Sequence, residues 1–163
     1  MSLQTLCKPR PSVFTADRRA TVLNLDTFLA EKVNGEEFFQ ENYFTNGMLT
    51  LVDRAFRHLG EEGAGSSMFL LSQAMGGGKT HSMIALGLLA RDQNLRREVL
   101  GEHNPAPMLG SCRVIGFNGR NTDAPGGIWG SLAEQLGKAE QFARYVSPLL
   151  SAPGPEAWKQ LRT

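Results

Sequence analysis

Gly76-Gly77-Gly78-Lys79-Thr80 is the stretch of this 163-residue chain whose residue types and order point most directly to chemistry. Glycines let successive backbone N–H groups turn inward and approach an anion closely. A helix opening at Lys79 adds the positive end of its dipole. The Lys79 ammonium can then reach terminal phosphates, and the Thr80 hydroxyl can ligate Mg²⁺. The chemistry expected is a phosphate cradle for a magnesium-bound nucleotide. Its contact residues are Ala74, Met75, Gly76, Gly77, Gly78, Lys79, Thr80 and His81, with Thr80 as the metal ligand. His81 has two readings, a phosphate contact or a packing residue on the first helical turn.

The full phosphate-loop pattern is G-x-x-x-x-G-K-[ST], and its first glycine should fall at residue 73. Gln73 stands there. A residue with a Cβ makes the tightest turn harder, because positive φ carries a steric cost. A dinucleotide-binding fingerprint fits less well, since G-x-G-x-x-G spacing is missing and that motif has no lysine at this place.

The elements that must position the turn follow from hydrophobic spacing. Met48, Leu49, Leu51, Val52, Ala55, Phe56 and Leu59 recur at helical intervals, with Thr45 or Asn46 as a cap and Gly60 as a stop. Met68-Phe69-Leu70-Leu71 is a short continuous apolar run, as in a strand buried on both faces of a parallel sheet. Thr80 to Leu89 reads as a helix, the charged stretch 91–98 as its continuation or a second helix, and Cys112 to Phe117 as a second strand. Ile128 to Leu136 reads as a helix stopped by Gly137, and a further helix is expected from Glu140 to Leu150. Upstream, Asp26 is placed to cap a helix reaching Val33, and Phe38, Phe39, Tyr43 and Phe44 form an aromatic cluster expected to pack onto a larger body. Strands alternating with helices predict an α/β domain of the P-loop type, a layered sheet with parallel strands. Residues 1–44 form a partly helical lead-in, and 45–163 form the N-terminal part of the nucleotide-binding domain.

Several stretches together resemble a known family. Leu71-Ser72-Gln73-Ala74-Met75-Gly76-Gly77-Gly78-Lys79-Thr80-His81-Ser82 resembles the phosphate loop of large prokaryotic ATPases grouped as domain-of-unknown-function family 499. Cys7-Lys8-Pro9-Arg10, Phe44-Thr45-Asn46-Gly47-Met48, Gly116-Phe117-Asn118-Gly119 and the segment from Ile128 to Gly137 are similar to further parts of that family. The resemblance implies ATP and Mg²⁺ as ligands and a AAA-like core. In the full-length context it implies hydrolysis coupled to remodelling, with DNA or DNA-modifying proteins as partners in defence or restriction-type systems. Homo-oligomerisation is compatible with it. The rival reading is a non-catalytic nucleotide-sensing or assembly module that needs a partner chain.

A hydrolytic site also needs an apolar strand ending in an acid that orders Mg²⁺ and the attacking water. Val22-Leu23-Asn24-Leu25-Asp26 has that look but lies upstream of the glycine turn, and Cys112 to Phe117 ends in Asn118. The sheet is therefore expected to be incomplete at its C-terminal side. The chain reads as the first part of a longer ATPase, inactive by itself, and no catalytic residue is assigned.

The composition narrows the alternatives. Lys and Arg total 17 against 16 for Asp and Glu, a net charge of +1, which disfavours a strongly basic nucleic-acid module or a polybasic membrane anchor. Hydrophobic residues are 41% of the chain, enough for a packed core. No apolar run approaches the roughly 20 residues of a membrane span, and Met1 to Arg10 lacks a secretory pattern. The expected location is the cytoplasm. Cys7 and Cys112 are too far apart for a zinc motif and read as reduced thiols. His58, His103 and the Arg96-Arg97 pair read as solvated, Trp129 and Trp158 as packing residues, and Asp123 as turn chemistry.

Overall fold

The computed structural model describes residues 14, 23–60, 68–72, 74, 76–120 and 126–143. Seven α-helices run through them: α1 (Leu25–Leu29), α2 (Gly35–Glu41), α3 (Asn46–Gly60), α4 (Lys79–Arg91), α5 (Gln93–Leu100), α6 (Gly127–Gln135) and α7 (Ala139–Phe142). A 3-10 turn, Gly101–His103, follows α5.

Short polar side chains start most of the early helices by accepting backbone N–H groups that have no partner inside the helix. Asn24 accepts from the Thr27 amide at 2.7 Å and so caps α1, one turn's worth of work that the sequence assigned to Asp26. Asn34 accepts from the Glu37 amide at 3.2 Å; it opens α2 as well as separating it from α1. Thr45 accepts from the Met48 amide at 3.3 Å at the start of α3. Asp92 accepts from Asn94 and Leu95 at 2.8 and 3.1 Å, so the charged stretch after α4 is a separate helix, α5.

The core forms around α4, which packs against α1, α2, α3 and α5. Ile84, Ala85, Gly87, Leu88, Leu89 and Ala90 are all buried, so the second half of the helix is enclosed on several sides. On one side it meets Phe28, Phe38, Met48 and Leu95. On the other it meets Val52, Phe56 and Leu100. The α3 residues Met48, Leu51, Val52, Ala55 and Phe56 supply a single apolar stripe at helical spacing. Gly87 is required by close approach, because a Cβ there would collide with the ring of Phe28. The aromatic cluster packs as expected except for Tyr43, which is 87% exposed.

The parallel-sheet expectation is overturned: among the described residues there is no strand and no sheet, and the architecture is helical. The two apolar segments assigned to strands carry no regular secondary structure and form no ladder among the described residues. Met68 and Leu70 are 82% and 86% exposed, the opposite of a strand buried on both faces. In 112–117 the backbone bonds go elsewhere: the Cys112 amide donates to the Ala90 carbonyl at 2.8 Å, and Gly116 pairs with the side chain of Gln135. A strand exists only through its neighbour, and neither segment has one among the described residues.

Candidate functional site

The glycine turn leads directly into α4. Gly76 and Gly78 have φ of 80° and 77°, in the left-handed region that glycine enters without a Cβ penalty. The Gly77 amide donates to the Ala74 carbonyl at 3.1 Å, closing the turn. Gly78 is the N-cap of α4, so no side chain caps the first helical turn. A Cβ built at Gly76 or Gly78 would meet nothing within 4 Å beyond its chain neighbours. The turn is therefore exposed, with open space over its glycines, at the positive end of a 13-residue helix whose other end is buried.

The sequence-assigned residues lie about the turn as follows. The Lys79 ammonium folds back over the turn and donates to the Ala74 carbonyl at 3.0 Å. Thr80 is half-buried on the first turn of α4. Ser82 donates both its amide and its hydroxyl to the Gly78 carbonyl, at 2.9 and 3.1 Å, locking the junction of turn and helix. His81 turns toward α2: its ring lies 5.9 Å from that of Phe38, tilted by 32°. That ring contact belongs to the packing reading of His81. Gln73 and Met75 lie outside the described residues, as do Cys7, Asp123 and Trp158.

Among the described residues, no group of three or more His, Cys, Asp or Glu could hold a metal ion. His103 is exposed and Cys112 is a free, half-buried thiol. Asp26, considered as an acidic strand end, instead sits in the first turn of α1, where its carboxylate accepts from Asn118 at 2.7 Å. Trp129 packs with Ala133 and Phe142.

The opposite end of α4 is built for packing. The last carbonyls of a helix lack intrahelical partners. Here Leu88 accepts from the Asp92 amide at 3.1 Å, Ala90 from the Cys112 amide at 2.8 Å, and Leu89 from Arg96 Nη1 at 2.7 Å. Arg96, expected to be solvated, is fully buried. Its Nη2 also donates to the carbonyls of Leu109 and Gly110, and its guanidinium lies 5.1 Å from the centre of the Phe56 ring. Burial pushes its pKa below the ordinary arginine value, against a smaller opposing pull from Cys112. A cavity of about 550 Å³ near this end is lined by Glu31, Arg91, Arg113 and Glu134. Arg91 pairs with Glu31 at 3.7 Å and stacks on Phe28, and Arg113 donates to the Leu136 carbonyl at 3.3 Å. Its charges balance, so it offers an anion no net attraction.

The glycine turn and α4 fall inside the part of the chain that matches a family model. Residues 29–104 match the model of the DUF499 N-terminal domain. That match supports the DUF499 family for this chain. No curated protein and no solved structure matches it. No described helix is long and apolar enough to cross a membrane.

Proposed function

We propose that the chain binds a nucleoside triphosphate with Mg²⁺ at the glycine turn, ATP being the nucleotide that the family resemblance favours. One observation carries the reading: left-handed Gly76 and Gly78 open into the uncapped N-terminus of α4, with the Lys79 ammonium already lying across the turn. Backbone N–H groups and a helix N-terminus favour anions without any catalytic residue. The site residues fit the group. The glycines leave room where a Cβ would stand, Lys79 supplies a point charge for terminal phosphates, and Thr80 supplies a hydroxyl for the metal. The bound magnesium would neutralise phosphate charge. Ala74 and His81 flank the cradle, and DNA-linked remodelling by a longer ATPase is the context in which such binding would be used.

Recognition through phosphates has a direct test. A fluorescent ATP analogue should bind with a rise in anisotropy and be displaced by inorganic pyrophosphate with magnesium, but not by adenosine. Displacement by adenosine alone would place the recognition on the base and refute the cradle.

A further inference from the structure

Bonds within its own few residues hold the glycine turn. Gly77 and Lys79 both donate to Ala74, and Ser82 donates twice to Gly78. Gly76 and Gly78 have open space where a side chain would pack. Among the described residues, a ring contact links this end of α4 to the body of the protein. His81 lies on Phe38, which is 4% exposed and part of the core cluster beneath α4. Phe38 meets Phe39 edge-on at 5.0 Å and 83°. Phe39 stacks on Phe44 at 5.3 Å and 8°. All three separations fall within the range of favourable aromatic pairs. The series runs from the residues before α3, through α2, to the third residue of α4.

We propose that His81 is a positioning residue for the glycine turn, acting through its ring contact with Phe38 on α2 and not through the bound phosphates. The proposal rests on the phosphate-cradle reading and deepens it. The first turn of α4 carries Lys79 and Thr80. Fixing His81 against a buried ring fixes the rotation of that turn relative to the core, and with it the direction in which Lys79 and Thr80 are presented. Without the ring contact the turn samples orientations that fail to converge on the ligand, and binding weakens by the fraction of time lost.

The test measures Mg-ATP affinity in the full chain, with helix content and unfolding midpoint recorded for each variant. His81→Ala is expected to bind two- to tenfold more weakly, the range that the loss of one aromatic pair corresponds to. His81→Phe keeps a ring on Phe38 and is expected to stay within about twofold of wild type. Phe38→Leu keeps an apolar side chain in the core, and the double variant should lose no more affinity than the worse single variant. Unchanged affinity in His81→Ala would overturn the proposal. So would a His81→Phe variant as weak as His81→Ala, which would assign the role to the imidazole itself. Additive losses in the double variant would overturn it too. If the wild-type chain does not bind Mg-ATP, the cradle reading falls and this inference with it. Wild-type binding with an unaffected His81→Ala removes this inference alone.

Discussion

Replacing Arg96 with methionine keeps a long apolar stem and removes the guanidinium. Three carbonyls then lose their donor: Leu89 at the end of α4, and Leu109 and Gly110 in the segment after the 3-10 turn. Hydrogen bonds to a charged group contribute about 1.5–3 kcal/mol each, so the gross loss is roughly 5–9 kcal/mol. Two effects offset it. The buried charge no longer has to be desolvated, and Nε, which has no partner, disappears. Methionine also fills much of the same space beside Phe56. A net loss of about 3–5 kcal/mol is expected, the range for breaking a buried charged pair by removing one partner. Arg96→Lys retains the charge but not the fork that spans several carbonyls, and should fall between the two. Equilibrium unfolding in urea, followed by helix signal, gives the value from the shift in midpoint at constant slope. A methionine variant as stable as wild type would refute the view that Arg96 ties the end of α4 to residues 109–110.

Other outcomes follow from single contacts. Gly78→Ala places a Cβ at φ 77°, a backbone strain of about 1–2 kcal/mol, and is expected to weaken phosphate binding more than it lowers the unfolding midpoint. Asp92→Ala removes the cap of α5 and should cost about 1 kcal/mol, a fall of roughly 2–4 °C in melting temperature by calorimetry. Gln135→Ala frees the Gly116 peptide, which now exchanges two hydrogen bonds with that side chain at 3.0 and 2.8 Å; faster hydrogen exchange at the Gly116 amide is the expected sign, with slower exchange retained in Gln135→Glu, which still accepts.

Local features were legible in the sequence and non-local ones were not. The helical stripe of α3, its Thr45 cap and its Gly60 end follow from spacing and residue type, which act within a few positions. The glycine turn is equally local: positive φ at Gly76 and Gly78 and a helix starting at Lys79 are what the five residues require. The two segments read as strands show the limit. Apolar runs such as Met68 to Leu71 signal an extended backbone, but pairing depends on a partner far away in sequence, and a short run does not name one. The burial of Arg96 escapes the sequence for a related reason. Charge marks it as solvated, whereas its place one turn before Leu100 and beside Leu95 puts it on the buried face of α5. That spacing was the available signal. The position of the Leu89 carbonyl, which makes burial tolerable, is set by the end of a different helix.

The cradle itself is tested most directly by calorimetric titration of Mg-ATP into the wild-type chain and into Lys79→Ala. Saturable binding by wild type that is lost or weakened at least tenfold in a variant of equal helix content is expected, since the variant lacks the charge now lying over the turn. Equal binding by both chains, or none by a folded wild-type chain, would contradict a phosphate site at Gly76–Thr80.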